Sequence, residues 1–281
     1  MKPQTTTKTQ SQAWSLPAAN WGQYLQPSRL ETLAQRFAPI SLVEMEAAAL
    51  LNRTDTKFVM SETQLGRVLS TLDQDYSMLV VGGRRLNHYR TLYFDTPSFD
   101  LYQLHVNERA DRYKVRCREY TDSSLSFLEV KHKTNKDRTI KDRLATSQPV
   151  AQMTPEARSW LRGVYPLNPQ ALAPTLWNTF TRMTLVSKQG CERVTLDVGI
   201  TFYTAERVTH LDGIAVAEVK RDQTSCDSPF LTQMRAQHIH PRGFSKYCLG
   251  VSLLYDQVKK NAMKPRMLWL EKIMQGVSYH E

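Results

Sequence analysis

The alternation of apolar and polar positions predicts a protein built mostly from short strands. A period of two, typical of half-buried strands, recurs in two parts of the chain. In the first part the predicted strands are 54–60, 76–81, 88–95, 112–120, 126–134 and 138–145. In the second part they are 175–188, 192–198, 200–207 and 214–221.

Helical periodicity is confined to a few segments between and after these strands. The predicted helices are 30–37, 41–51, 155–163, 230–237, 245–258 and 263–274. Ser41 is the expected N-cap of the second, because Glu44 follows it by three residues as in a capping box. Many closely spaced strands with few helices favour an α+β protein with a closed antiparallel β-barrel and flanking helices.

The expected organisation has three parts. Residues 1–35 are rich in Thr, Gln, Ser and Pro, and we expect a flexible tail there. Residues 36–258 would form the barrel domain. Residues 259–281 would form a C-terminal helix.

Several predicted strands carry charges along one face. Lys114, Arg116 and Arg118 alternate with apolar residues on one strand. Neighbours at i and i+2 lie about 7 Å apart, where like charges repel by roughly 2 kcal/mol at an effective dielectric near 20. The same alignment groups Glu129 with Lys131 and Lys133, Glu218 with Lys220, Arg53 with Asp55 and Lys57, and Arg193 with Thr195 and Asp197.

Each charged face has two interpretations. It is either the solvated side of a half-buried sheet or the wall of an interior channel that binds an anion. Recurrence on several strands favours the channel, since Lys and Arg are the side chains that bind phosphate. Glu129 and Glu218 would then be ligands of a divalent cation or salt-bridge partners of the lysines, and both readings stay open.

Composition agrees with an anionic partner. The 281 residues include 37 basic and 27 acidic ones, for a formal net charge of +10. The four cysteines form no CxxC pair, so we expect reduced thiols and a cytoplasmic location. No apolar run approaches the roughly 20 residues of a membrane span.

Eight segments together resemble the VTC (vacuolar transporter chaperone) domain, a polyphosphate polymerase domain of the CYTH-like triphosphate tunnel metalloenzyme superfamily. They are RTDTKF (53–58), HYRTLYFDTPSFDLY (88–102), RYKVRCREY (112–120), FLEVKHKTNKDRTIKDR (127–143), TFTRMTLVS (179–187), ERVTLD (192–197), AEVK (217–220) and GFSKY (243–247). A single short motif of this kind is weak, but their joint order and spacing is specific.

The resemblance implies a tunnel that binds triphosphate or polyphosphate, with Mn²⁺ or Mg²⁺ as cofactor. By motif position, the implied phosphate clamp is Lys57, Arg90, Lys114, Arg116, Lys131, Lys141, Arg182, Arg193 and Lys246. Ser245, Arg118 and Lys220 would add binding contacts. Glu218 would be the main metal ligand and Glu129 the second.

One departure from the superfamily concerns the opening strand. Its triphosphatases begin with ExExK, whose glutamates help to bind metal, whereas this chain has Arg53, Asp55 and Lys57 at the corresponding positions. The change removes metal ligands and adds phosphate affinity. It favours the polymerase-like branch.

The expected activity is therefore metal-dependent phosphoryl transfer from ATP to a polyphosphate chain bound in a basic tunnel. The alternatives are a triphosphatase that hydrolyses tripolyphosphate or a nucleoside triphosphate, and a non-catalytic polyphosphate-binding module. The expected partners are ATP and polyphosphate or triphosphate, and a membrane-protein partner stays open. Nucleic acid is not expected, because the chain lacks a glycine-rich phosphate loop, zinc-finger spacing and an aromatic RNA-binding signature.

Overall fold

A computed structural model describes residues 27–47, 53–136, 138–189, 192–222 and 227–276. Its strands are β1 (Ala38–Ile40), β2 (Arg53–Ser61), β3 (Tyr76–Leu79), β4 (Asn87–Asp95), β5 (Arg112–Tyr120), β6 (Leu125–Lys133), β7 (Thr139–Thr146), β8 (Ala173–Ser187), β9 (Glu192–Tyr203), β10 (Val208–Leu211) and β11 (Ile214–Asp222). Its α-helices are α1 (Pro27–Gln35), α2 (Leu42–Ala47), α3 (Glu62–Leu69), α4 (Asp100–Val106), α5 (Pro155–Val164), α6 (Pro229–Ala236), α7 (Lys246–Leu254) and α8 (Lys264–Met274).

The strands form one large sheet in the order β2-β11-β9-β8-β4-β5-β6-β7, with every pairing along this path antiparallel. The long strand β8 pairs with β4 through its first part and with β3 through its last part. Strand β1 adds to β3 in parallel, and β10 forms a hairpin with β9. The expected antiparallel α+β architecture is confirmed.

Closure of the barrel was the wrong part of that expectation. Strands β2 and β7 end the path and do not pair with each other among the described residues. The chain after α6 lies against β2 instead: Phe58 bridges Pro241, and the Arg242 amide donates to the Lys57 carbonyl at 2.8 Å. Because this segment takes up backbone groups of β2, the sheet curls without completing its hydrogen-bond ladder.

Helices cover the outer face of the sheet. Phe58, Leu196 and Ala217 face outward from β2, β9 and β11 and share a buried cluster with residues of α1, α3 and α6. Helix α3 starts from a capping box in which Ser61 and Gln64 bond reciprocally. On the other half of the sheet, residues of β5 and β6 form a second cluster with Leu161 of α5. Apolar side chains therefore cover the outer face. On the inner face, Leu176, Phe180 and Val216 belong to a third cluster with α7, and the charged alternate positions lie beside it.

Helix α7 lies on the inner face, where Gly250 permits a close approach. A Cβ at Gly250 would sit 2.5 Å from Leu176 Cδ2 and 2.7 Å from Phe202 Cδ1. The start of the helix is held by the Tyr247 hydroxyl, which donates to the buried carboxylate of Asp95. This arrangement aims the N-terminus of α7 into the concave side of the sheet.

The boundaries differ from expectation in several places. Helices α3 and α4 and strands β1 and β10 were not predicted. The first part of the predicted strand 200–207 is the continuation of β9 past Gly199. Gly199 has a φ of 59°, and the pairing of β9 with β8 shifts register there. Helix α1 lies within the expected tail and packs on α3, while residues 1–26 lie outside the described residues. The predicted helix 41–51 is seen as α2, with Ser41 and Glu44 in the expected capping box, and 48–51 are not described.

Cys117 and Cys248 are buried free thiols, and Cys191 and Cys226 fall outside the described residues. Within the described ranges, no helix has both the length and the apolar character needed to cross a bilayer.

Candidate functional site

The strand register places most of the candidate site residues on one continuous inner face. Residues that pair directly across two antiparallel strands point to the same side of the sheet. The direct pairs are Lys57 with Glu218, Glu218 with Thr195, Lys220 with Arg193, Asp197 with Arg182, Arg116 with Glu129, Lys114 with Lys131, and Lys131 with Lys141. Arg118 lies two residues from Arg116 and shares its side.

The two ends of the strand path face each other across this concave surface, which we call the channel. Lys131 lies on β6 and Lys57 on β2, far apart in strand order. Burial lowers the pKa of Lys131, the Lys57 ammonium lowers it further, and Glu218 raises it. The Lys131 side chain is exposed, so the channel is open to solvent at this position.

Glu129 is an ion-pair centre in the middle of the channel. Its Oε2 accepts from Arg116 at 2.7 Å, and its Oε1 lies 2.5 Å from Lys141 Nζ. Burial disfavours the charge of Glu129, but Arg116, Arg118 and Lys141 outweigh burial and hold its pKa far below the ordinary value. The carboxylate is 1% exposed, with Oε2 hydrogen-bonded to Arg116 and Oε1 in ion-pair contact with Lys141 without a hydrogen bond. This geometry favours the salt-bridge reading of Glu129 over the metal-ligand reading.

Asp197 is a second such centre, to which the sequence analysis assigned no role. Its two oxygens accept from Arg182 at 2.6 and 2.8 Å, and Lys246 donates to one of them. Burial raises the pKa of Asp197, but the two cations prevail and lower it to about 2. Its alignment with Arg193 and Thr195 on β9 was visible in the sequence, whereas its contact with Lys246 depends on how α7 enters the channel.

Glu218 is the carboxylate at the β2–β11 end. Its Oε1 accepts from Lys57 at 2.7 Å, and its Oε2 lies 3.5 Å from Lys220. Burial opposes its ionisation, but Lys220 and Lys57 keep its pKa far below the ordinary value. Its side chain is 20% exposed, so an ionised oxygen remains accessible from the channel.

Three basic residues of the channel have no carboxylate partner among the described residues: Lys114, Arg118 and Lys131. Arg118 is 8% exposed, its Nε has no hydrogen-bond partner, and its guanidinium lies over the rings of Tyr89 and Phe180 at 5.6 and 5.9 Å. Burial and the charge of Arg116 lower its pKa. A buried cation without a counter-charge is costly, so the site favours an anion from outside the protein.

Ser245 and Lys246 bring the N-terminus of α7 to the same place. Ser245 caps the helix by accepting from the Cys248 amide at 3.2 Å, and its Oγ also accepts from Lys114 Nζ at 3.2 Å. Burial lowers the pKa of Lys114 and of Lys246, each to about 8. Amides at a helix N-terminus add positive potential to that of the lysines.

Two residues of the implied clamp, Arg193 and Arg90, contact other parts of the protein in the structure. Arg193 is on the inner face, but its guanidinium donates to the Met45 carbonyl at 2.6 Å. Arg90 is not on the channel face. It pairs in register with Glu119, its Nε donates to Glu119 at 2.6 Å, and its guanidinium lies 5.2 Å from the centroid of the Trp177 ring. Since Thr91 pairs with Arg118, neighbouring Arg90 must point to the opposite side.

The donor set fits a metal that takes most of its ligands from a substrate. No group of three acidic, histidine or cysteine side chains converges in the described part of the chain, which argues against an all-protein cage. Mg²⁺ and Mn²⁺ commonly use one or two carboxylates together with phosphate oxygens and water. Glu218 meets that requirement, because it is ionised and faces the channel.

Comparison with known proteins bears on this site. The VTC domain profile matches residues 52–255. A proposed adenylate cyclase from Bacillus halodurans has 15% identity, with 73% of this chain and 98% of that one covered, at a TM-score of 0.47. A proposed adenylyl cyclase from Hippeastrum, whose reported activity is dominantly that of a triphosphatase, has 14% identity. The match covers 70% of this chain and 94% of that one, at a TM-score of 0.44.

An RNA triphosphatase from S. pombe has 8% identity, with 95% of this chain and 100% of that one covered, at a TM-score of 0.28. At such identities and scores these structures carry no argument about function. The comparison with curated proteins gives no match. The profile match is different in kind, because it covers most of the chain and includes every residue of the channel described above. The chain therefore belongs to the VTC domain family.

Proposed function

We propose that this protein transfers a phosphoryl group from ATP to the end of a polyphosphate chain held in the channel, with Mg²⁺ or Mn²⁺ as cofactor. The observation that carries the proposal is the set of inward-facing cations without carboxylate partners, Lys114, Arg118 and Lys131. They lie among further cations that carboxylates hold in place. A row of phosphates supplies the missing negative charge along the whole surface.

In this mechanism the protein positions the reactants and compensates their charge. Phosphoryl transfer needs little covalent chemistry from the enzyme, so an array of fixed donors is sufficient machinery. The bond between the γ-phosphorus and its bridging oxygen breaks, a bond to the terminal oxygen of the chain forms, and ADP leaves. Glu218 would hold the cation, whose chemistry there would be Lewis-acid neutralisation of phosphate charge.

The carboxylates of the channel have separate tasks in this proposal. Glu129 and Asp197 fix the guanidinium groups of Arg116 and Arg182, so that their remaining N–H groups are pre-aimed at phosphate oxygens. Glu218 holds Lys57 in the empty channel and would be the ligand of the cation. The proposal thus divides the acids into two that orient cations and one that binds the metal.

The test is incubation of the purified chain with ATP and Mn²⁺ or Mg²⁺, followed by a gel that separates polyphosphate from orthophosphate. We expect ADP and a ladder of polyphosphate. Orthophosphate released from tripolyphosphate without chain growth would reassign the protein as a triphosphatase. Binding of tripolyphosphate with no turnover under any metal would reassign it as a binding module.

A matched pair of lysine variants ties the activity to the channel. Lys131→Met removes one of the cations without a carboxylate partner, and we expect a loss of tripolyphosphate affinity of about tenfold or more. Lys188→Met removes an exposed lysine that donates to the Asp73 carbonyl outside the channel, and it should leave affinity unchanged. Equal effects of the two variants would contradict the assignment of the site.

A further inference from the structure

A cavity of about 290 Å³ lies beside the channel, between β2, the N-terminus of α7 and helix α8. Its floor is apolar and includes Val59, Leu249 and Leu270, all of which are buried. Half-buried Phe244 and Trp269 also line it. Its volume is close to the lower limit for pockets that hold small organic molecules.

Two arginines at the rim give this cavity a positive edge. Arg242 lies over the Trp269 ring, with its guanidinium carbon 4.5 Å from the ring centroid. Arg266 has one recorded polar contact, from Nη1 to Met263 Sδ at 3.8 Å, which is weak. Both side chains are exposed, and neither has a carboxylate within ion-pair distance among the described residues. An apolar floor with aromatic walls and a cationic rim fits a flat ring that carries an anionic group.

The cavity is joined to the channel through Ser245. This residue lines the cavity, and its Oγ accepts from Lys114 inside the channel. The backbone bond from Arg242 to Lys57 holds the rim next to the β2 end, where Glu218 pairs with Lys57. An anionic group that extends from the cavity past Ser245 would therefore lie near Lys114 and the Lys57–Glu218 pair.

We propose that this cavity binds the base and sugar of a nucleoside triphosphate whose phosphates extend past Ser245 into the channel. The proposal rests on the function proposed above and adds a determinant for the nucleoside half of the donor. The base lies on the apolar floor against Trp269 and Phe244. Arg242 and Arg266 contact the sugar and the first phosphate. Tripolyphosphate, which has no base, gains nothing from this cavity.

The experiment compares the affinities for ATP and for tripolyphosphate, measured by calorimetry in EDTA so that no turnover occurs. For Trp269→Leu we expect a roughly tenfold to hundredfold loss of ATP affinity, the range found when a stacking partner of a base is removed. Tripolyphosphate affinity should change less than twofold. Trp269→Phe keeps an aromatic ring and should recover most of the ATP affinity.

Matched controls separate loss of the cavity from general damage. Trp160→Leu alters a half-buried tryptophan packed on the outer-face cluster and should leave both affinities unchanged. If Trp269→Leu lowers the melting temperature, the exposed pair Arg242→Ala and Arg266→Ala provides the same comparison without loss of packing. Together they should weaken ATP binding severalfold and tripolyphosphate binding little.

Either of two results would overturn the proposal. If the variants weaken ATP and tripolyphosphate equally, or weaken neither, the cavity does not hold the nucleoside, while the channel function stands. If the unaltered protein fails to bind tripolyphosphate, the channel function fails and the cavity proposal fails with it.

Discussion

Replacement of Arg118 by Met should stabilise the empty protein while weakening its affinity for phosphate chains. Arg118 is 8% exposed and has no carboxylate partner among the described residues, and its charge lies near those of Arg116 and Arg182. Two like charges about 7 Å apart repel by roughly 2 kcal/mol at an effective dielectric near 20. Attraction to Glu129 and the contacts with Tyr89 and Phe180 offset part of that repulsion.

The net gain expected for Arg118→Met is about 1 kcal/mol in the free energy of unfolding, or a rise in melting temperature of about 2–4 °C. Methionine suits this test because its unbranched side chain retains the apolar contacts of the arginine stem. Loss of hydrogen bonds from a charged donor should cost about 1.5–3 kcal/mol of tripolyphosphate affinity. Thermal unfolding in phosphate-free buffer and titration calorimetry measure the two quantities.

Arg116→Met is the matched comparison, because Arg116 lies on the same strand face but pairs with buried Glu129. Breaking that pair leaves Glu129 with Lys141 as its ion-pair partner and with the more distant charge of Arg118, so we expect a destabilisation of about 3 kcal/mol, at the lower end of the range for buried pairs. The two substitutions should therefore shift the melting temperature in opposite directions. If Arg118→Met lowers the stability of the empty protein, or leaves tripolyphosphate affinity intact, the account of the channel as a preformed anion site is refuted.

Three further predictions follow from the same geometry. Burial lowers the pKa of Lys114 and Lys246 to about 8, so both amines are largely neutral in the empty protein above that pH. Tripolyphosphate affinity should then fall as pH rises through about 8. Binding should take up protons, which calorimetry in buffers of different ionisation enthalpy detects. Because the unfolded lysines stay protonated up to about 10.5, the free energy of unfolding should rise as pH rises from about 8 toward that value. Glu218→Gln should lower the rate of phosphoryl transfer by about a hundredfold or more while leaving metal-free tripolyphosphate binding intact or stronger, and a retained rate would remove Glu218 from the metal site. Arg90→Ala should leave tripolyphosphate affinity within about twofold, since Arg90 pairs with Glu119 outside the channel; a tenfold loss would show that it contacts the ligand.

Because the period of a strand is fixed, the sequence alone predicts which side chains of one strand share a face. Once Lys114, Arg116 and Arg118 were placed on one strand, their common side followed from the backbone alone. The same rule groups Asp55 with Lys57 on β2 and Glu218 with Lys220 on β11, whereas the side that the two strands share depends on their register. Arg90 shows the limit of motif position: the resemblance placed it in the clamp, whereas its register with Glu119 places it on the other side.

What the sequence could not predict depends on contacts between distant parts of the chain. The tie from Lys246 to Asp197 requires that α7 enter the channel, which depends on the close approach at Gly250 and on the Tyr247–Asp95 bond. The split of the carboxylates into Glu129, which is buried in ion pairs, and Glu218, which is accessible, is likewise a matter of three-dimensional surroundings. Helix α3 was missed although its capping box, Ser61 with Gln64, is legible in the sequence.

The gap between β2 and β7 has a mechanical consequence. A closed barrel opens sideways only if the full backbone ladder between two neighbouring strands breaks, so a long polymer enters it by threading from an end. In this protein β2 and β7 form no backbone ladder with each other among the described residues, and β2 is held at that edge by residues 241–242. The wall can part along that edge at the cost of a few contacts, so under the proposed function a long phosphate chain would enter the channel from the side, and only its terminal phosphate would have to reach the γ-phosphate of ATP.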